Sequence, residues 1–185
     1  MINKIRELVK KEHEKNDYDF HISIVVKNAL KLAELLNADK EIVEIAALMH
    51  DLGRAKGIKT GEDNNHHLIS AEKARLILTD HPKKEKIISC ILSHRGNKDD
   101  YPPKTIEEKI VSNADAMAHF DSFLDLFRVF VEMTGGDLNK ALNEIDAKIE
   151  RDWNKKLTIP QAKELVKKKY ESIKVIIGSM KENMK

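Results

Sequence analysis

The stretch Ala46-Ala47-Leu48-Met49-His50-Asp51-Leu52-Gly53-Arg54 decides the fold of this chain. Neighbours on a helix point about 100° apart, so His50 and Asp51 can face one object only near a helix end. Gly53 predicts that end, since a glycine after the last turn takes the left-handed cap without steric penalty. The apolar run from Ile42 to Met49 predicts a buried helix, so the Asp51 charge needs a partner. A metal ion would also explain the adjacent imidazole.

Composition indicates one globular domain spanning residues 1–185. Charged residues make up 35% of the chain, and the net charge of +2 gives no global field for nucleic acid or an anionic membrane. The single cysteine, Cys90, excludes an intramolecular disulfide, which is typical of a reducing compartment. The N-terminus lacks a signal-peptide core and no stretch approaches the ~20 apolar residues of a membrane span. We therefore expect a cytoplasmic protein with no membrane or nucleic-acid partner.

Hydrophobic periodicity predicts an all-α chain without strands. The expected N-caps are Asp39, Asp137 and Thr105, the last in a capping box with Glu108, and Gly135-Gly136 ends a helix. A loop is expected from Gly53 to Asn65 and another from Arg95 to Lys104. Apolar stripes at helical spacing occupy about residues 2–15, 19–36, 42–51, 66–78, 82–94, 105–120, 121–133, 137–153 and 160–180, with Pro82 in the first turn of its helix.

Five polar residues lie on apolar helix faces: His21, His50, Asp51, His94 and Asp115. A single histidine on such a face is more often a hydrogen-bonded core residue than a ligand. All five being structural is less plausible, because the free-energy cost of burying each polar group adds to the others, and a shared metal satisfies them together. Imidazoles and carboxylates without thiolates suit Mn, Fe, Co, Ni or Zn in an open site.

This ordered set, His21, then His50-Asp51, then Asp115, resembles the HD-domain metal-dependent phosphohydrolases over about residues 19–126. The resemblance implies a compact multi-helix domain with the metal site in its helical core. These four residues would hold a first metal, and Asp51 could bridge to a second ion. His50 and Asp51 would be the catalytic residues. Residues 127–185 form C-terminal helices outside the resemblance.

A second metal would need further histidines. The resemblance places His66 in that role, whereas helical periodicity aligns His67 with the apolar face, so the choice between them stays open. His94, followed by Arg95, is similar to a further histidine in family members that hold two metals. One or two ions are therefore expected.

The metal set predicts hydrolysis of a phosphate ester. A divalent metal with an open coordination position lowers the pKa of bound water from 15.7 towards ~7 and so gives hydroxide at neutral pH. We expect the substrate to be a phosphomonoester, a nucleotide or a dinucleotide. The cationic residues that follow His50-Asp51 and His94 in the chain are candidates for binding the phosphate, with Arg54 and Arg95 first. They are Arg54, Lys56, Lys59, Arg95 and Lys98.

Two other function classes remain open from the sequence. The domain could sense a nucleotide at its metal site without turnover, or it could be a helical interaction protein. The interaction surface would be the stripe of Tyr170, Ile173, Ile177 and Met180. That stripe is more readily explained by packing on its own core or on the twin subunit of a homodimer.

Overall fold

The computed structural model describes residues 1–54, 65–96 and 100–183, and these contain helices and no strand. The all-α prediction is therefore confirmed. The helices are α1 (Ile2–Glu12), α2 (Lys15–Asp17), α3 (Ser23–Leu35), α4 (Lys40–Met49), α5 (His66–Ile77), α6 (Lys84–Ser93), α7 (Ile106–Asp121), α8 (Phe123–Met133), α9 (Leu138–Arg151) and α10 (Pro160–Asn183). Two π-helical turns, Tyr18–Ile22 and Asp152–Lys156, precede α3 and follow α9.

Helix α4 lies in the core, with α3, α6 and α7 packed around it. Its residues from Ile45 to Met49 are completely buried, as the continuous apolar run requires. Burying a large aliphatic side chain of this kind contributes about 1.5–3 kcal/mol to folding, so this segment fixes where α4 ends. The residues that follow, His50 and Asp51, are consequently held inside the protein.

Helix ends follow the sequence signals at most positions. Asp39 accepts hydrogen bonds from the backbone N–H groups of Glu41 and Ile42, and Thr105 and Glu108 form the predicted capping box. Asp137 caps α9, and Gly135 and Gly136 both have positive φ after α8. Helix α6 begins at Lys84 and not at Pro82 as the sequence predicts, because residues 82 and 83 form a turn in which the Lys83 N–H donates to His81 Nδ1.

Gly53 does not take the left-handed cap that the sequence predicts. It lies in a 3-10 turn, Leu52–Arg54, and is absent from the positive-φ glycines among the described residues. A Cβ at this position would sit 2.3 Å from the carbonyl oxygen of His66, and the Gly53 N–H donates to Ser70 Oγ at 2.8 Å. The glycine is needed for space: it lets the turn after α4 approach the start of α5.

The C-terminal helix packs on the protein itself. Ile173 and Ile177 are buried, and the Tyr170 ring stacks on Trp153 with centroids 4.2 Å apart. Only Met180 of the predicted stripe is exposed, at 41%. Among the described residues, no helix has both the length and the apolar character to cross a membrane. Leu35, the last residue of α3, is 54% exposed.

Candidate metal centre

Four predicted ligands converge from three helical segments. His21 comes from the π-helical turn before α3, His50 and Asp51 follow α4, and Asp115 lies in the middle of α7. His21 Nε2 lies 3.2 Å from His50 Nε2, 3.4 Å from Asp51 Oδ2 and 3.3 Å from Asp115 Oδ1. Residues far apart in the chain thus bring two imidazoles and two carboxylates to one point in the core.

The two carboxylate oxygens of Asp51 face different histidine pairs. Oδ2 lies 3.4 Å from Nε2 of both His21 and His50. Oδ1 lies 3.5 Å from His66 Nε2 and 3.8 Å from His94 Nε2, and those two nitrogens are 3.0 Å apart. Asp51 is therefore placed between two groups of ligand atoms.

The donor atoms fit a divalent cation. Asp51 Oδ1 is buried and accepts no hydrogen bond from any residue that the structure describes, a costly arrangement without a cation beside it. The nearby side chains are imidazoles and carboxylates, the ligand types of transition metals such as Mn, Fe, Co, Ni and Zn. Three groups have ligand atoms within 4.8 Å of one another: His21, His50 and Asp51; Asp51, His66 and His94; His21, Asp115 and His119.

Backbone carbonyls orient two of the histidines. His50 Nδ1 lies 2.8 Å from Ala47 O and His94 Nδ1 lies 2.6 Å from Ile91 O. If each Nδ1–H donates to its carbonyl, each Nε2 is left with a lone pair directed at Asp51. Burial lowers the pKa of both imidazoles, which favours this neutral form.

The carboxylates are held in the ionised form that a metal requires. Burial opposes the charge on Asp51, but the Arg54 guanidinium and the hydrogen bond with His21 outweigh it and hold the pKa of Asp51 well below the usual range. Burial lowers the pKa of His21, yet its hydrogen bonds to Asp115 and Asp51 raise that pKa to about 9. In the metal-free protein His21 therefore carries a proton that a metal ion must displace.

His119 belongs to the cluster although sequence analysis did not select it. Its Nε2 lies 3.7 Å from Asp115 Oδ1, and its ring stacks on that of His21 at 5.6 Å. Its Nδ1 lies 2.8 Å from Asp152 Oδ2, which also accepts from Lys148 Nζ at 2.6 Å. The available signal was spacing, since His119 follows Asp115 by four residues and so shares its helix face.

Lys156 was also missed. Its ammonium forms an ion pair with Asp115 Oδ2. Burial opposes the charge on Asp115, but Lys156 and the His21 hydrogen bond outweigh it and hold the pKa of Asp115 well below its usual range. Lys156 ends the π-helical turn after α9, so the C-terminal part of the chain reaches the cluster.

Of the two candidate histidines at the start of α5, His66 faces the cluster. The ring of His67 instead has Nδ1 3.3 Å from Arg95 Nη1 and lies edge-on to Tyr101. Arg54 Nε is 3.8 Å from Asp51 Oδ1. Lys56, Lys59 and Lys98, predicted to bind phosphate, lie outside the described residues.

A cavity of about 320 Å³ opens onto the cluster. We call it the basic cleft because five cationic side chains line it: Arg54, Arg95, Lys148, Arg151 and Lys156. It also includes apolar residues of α8, among them Leu126 and Val129. The volume is in the range of small-molecule sites, and the cations suit an anionic ligand.

Comparisons with known proteins point to one family. The model of the HD domain matches residues 18–119. A tRNA (cytidine(56)-2'-O)-methyltransferase of Picrophilus torridus is 28% identical over 134 residues, which are 65% of this chain and 37% of that protein. Ribonuclease Y of Treponema pallidum is 33% identical over 99 residues, 54% of this chain and 18% of that protein. The matched region thus spans well under half the length of these relatives.

A solved structure covers nearly the whole chain. The crystal structure of Bacillus subtilis YpgQ in complex with ADP has a TM-score of 0.73 and 25% sequence identity, and the match covers 99% of this chain and 97% of that one. The similarity extends beyond the family match at residues 18–119 and includes α8, α9 and α10.

Proposed function

Since the chain belongs to the HD-domain superfamily of metal-dependent phosphohydrolases, we propose that it hydrolyses a phosphate ester or anhydride of a nucleotide. One observation carries the proposal: Asp51 directs one oxygen at His21 and His50 and the other at His66 and His94. A carboxylate in this position can bridge two cations.

In this proposal His21, His50, Asp51 and Asp115 hold the first metal, and His66 and His94 with Asp51 Oδ1 hold a second. When bound, a divalent transition metal supplies a nucleophile from water near neutral pH and neutralises charge on the phosphoryl group. The neutral histidines contribute Nε2 lone pairs, and Asp51 and Asp115 contribute negative charge.

The basic cleft binds and orients the phosphate groups. Arg54 lines it next to Asp51, and Arg95 lines it beside His94. A guanidinium can bind two phosphate oxygens at once, so these two residues are suited to fix the phosphoryl group above the metal ligands. That the structurally similar YpgQ was crystallised with ADP supports a nucleotide over other phosphomonoesters and over a dinucleotide.

The C-terminal helices belong to the same functional unit. Lys148 and Asp152 lie within hydrogen-bond distance of His119, and Lys156 pairs with Asp115, so α9 and the turn after it contribute to the site formed by the earlier helices. We therefore propose that the chain forms a single HD-type domain.

The test is metal-dependent release of phosphate or a nucleoside monophosphate from a nucleotide panel. The chelated protein should be inactive, addition of Mn or Co should restore turnover, and Asp51→Ala should reduce it by more than about 100-fold. The reason is that changing residues that merely orient a metal ligand already costs 10–100-fold. Asp80→Ala, in an exposed turn, is the matched control.

Near-normal turnover in Asp51→Ala would reject the proposed metal role. Tight nucleotide and metal binding without turnover by the native protein would instead favour the alternative of a nucleotide sensor.

A further inference from the structure

A second cavity, of about 130 Å³, adjoins the metal centre. It shares six residues with the basic cleft: His21, Asp51, Arg54, His119, Leu126 and Val129. Six residues line this cavity and not the cleft: His13, Asp17, Phe20, Ile22, Ser122 and Asp125. We call it the acidic pocket, because Asp17 and Asp125 are the charged groups that it does not share.

The two cavities differ in charge. The basic cleft has four cations of its own, Arg95, Lys148, Arg151 and Lys156, against the carboxylates of Asp115 and Asp152. The acidic pocket has two carboxylates and, among the described residues, no lysine or arginine of its own. Phosphate oxygens are therefore attracted to the cleft and repelled from the pocket. A nucleotide bound at the shared residues has one favourable orientation, with its phosphates in the cleft.

Apolar surface makes the acidic pocket suitable for the rest of a nucleotide. Phe20 is a large aromatic side chain that is 50% exposed at the pocket, and Leu126 and Val129 of α8 form further apolar wall. An exposed aromatic ring offers a stacking surface for a base.

The carboxylates of the pocket retain capacity to accept hydrogen bonds. Asp17 makes no side-chain hydrogen bond or ion pair with the residues that the structure describes, although it is partly buried. Burial, with Glu14 and Asp125 nearby, raises its pKa. Asp125 uses Oδ1 for Arg128 Nε at 2.9 Å. A ligand with N–H donors would offset both the cost of burying the Asp17 charge and its repulsion by the neighbouring carboxylates.

We propose that the acidic pocket binds the base of the nucleotide and that Asp17 selects bases with an exocyclic amino group. This inference rests on the proposed nucleotide substrate. An ionised carboxylate only accepts hydrogen bonds, so it pairs with the amino group of adenine, cytosine or guanine and repels a carbonyl oxygen at the same position. Stacking on Phe20 is common to all bases and leaves the choice among them to Asp17.

Matched nucleotide pairs test the selection. Cytosine and uracil differ in an amino group against a carbonyl, and guanine and hypoxanthine differ in one amino group. We would measure Kd by calorimetry on the metal-loaded protein, using nucleoside α,β-methylene diphosphates, whose phosphorus–carbon bond resists hydrolysis. The amino member of each pair should bind at least about tenfold more tightly, the lower end of the range expected for one hydrogen bond to a charged group.

Asp17→Asn assigns the effect to one residue. An amide can donate as well as accept, so the cytidine-to-uridine ratio should fall to near one, while inorganic pyrophosphate should bind with unchanged Kd. Unchanged pyrophosphate binding also shows that the variant is folded. Asp19→Asn is the matched control, because Asp19 is exposed two residues away and lines neither cavity.

The outcomes separate this inference from the proposed function. Equal binding of both members of each pair, or a preference that persists in Asp17→Asn, overturns the role of Asp17 even if the protein hydrolyses nucleotides. A preference that disappears in Asp17→Asn supports the base pocket. If the native protein shows this preference but releases no product, the proposed hydrolysis is rejected and the base pocket is retained.

Discussion

Asp152 is not one of the proposed metal ligands, but it contacts His119, whose ring lies beside Asp115. It is 1% exposed, and its Oδ2 accepts from Lys148 and lies within hydrogen-bond distance of His119 Nδ1. This contact fixes the His119 ring so that Nε2 faces Asp115. Asp152 is therefore a positioning residue for that part of the cluster.

We expect Asp152→Asn to weaken metal affinity and metal-dependent turnover by about 10–100-fold, the usual effect of changing a residue that orients a ligand. Metal titration and initial rates would measure both. Asp146→Asn is the control, since Asp146 also pairs with two lysines, Lys174 and Lys181, but lines neither cavity. Equal, small effects in the two variants would reduce Asp152 to a structural ion-pair partner.

At the residue scale, the sequence predicts those site residues that are polar side chains on an otherwise apolar helix face. His21, His50, Asp51, His94 and Asp115 were all selected in that way. Lys148, Asp152 and Lys156 were not, because charged residues on a C-terminal amphipathic helix are normally solvated. Their partners lie 29 to 41 positions away in the chain, at His119 and Asp115, and only tertiary packing brings them together.

At the scale of elements, the contact between the turn after α4 and the start of α5 places His66 opposite Asp51. Gly53 makes it possible, since a Cβ there would meet the His66 carbonyl at 2.3 Å. The atom it meets belongs to the backbone, so relief requires movement of the helix itself. The sequence marks Gly53 as special but cannot distinguish a need for positive φ from a need for space.

We predict that Gly53→Ala destabilises the protein by about 1–3 kcal/mol, the range for overpacking a tight contact, and weakens metal binding at the half of the site that contains His66. Chemical denaturation and metal stoichiometry would measure the two effects. Gly178→Ala in α10 is the matched control, because nothing lies within 4 Å of its Cβ position, and it should be neutral or slightly stabilising. Similar behaviour of the two variants would show that α5 adjusts freely.

Helix boundaries were predictable where a side chain caps the backbone, as at Asp39, Thr105 and Asp137. They were less so where packing changes the winding of the helix. The π-helical turn at Tyr18–Ile22 contains His21, and the turn at Asp152–Lys156 contains two residues of the cluster. Sequence periodicity alone does not indicate such turns, although π-helical segments often occur at functional sites.

At the scale of the whole molecule, the proposed metal ligands lie in α7 and in the segments next to α3 and α4, so they link parts of the chain that are distant in sequence. An ion that binds this arrangement and not the unfolded chain stabilises the fold by RT ln(1 + [L]/Kd), about 2.7 kcal/mol at a hundredfold excess over Kd. We therefore expect saturating Mn to raise Tm by roughly 5–10 °C relative to the chelated protein.

Scanning calorimetry with and without chelator would measure this shift. Asp51→Ala should lose most of it, whereas Asp80→Ala should keep it. An equal rise in Tm for the Asp51 variant would mean that the ion binds elsewhere on the protein.

The packing around Trp153 gives the protein an intrinsic optical reporter. Trp153 is the single tryptophan of the chain, and its indole is stacked on Tyr170 and edge-on to Phe120, a residue of the helix that also bears Asp115 and His119. It directly follows Asp152 in the chain. Emission from one indole in this position should change in wavelength or intensity when a nucleotide and a metal bind at the proposed site, and Tyr170→Leu should alter that response. Binding to this protein could then be followed by fluorescence without any attached dye.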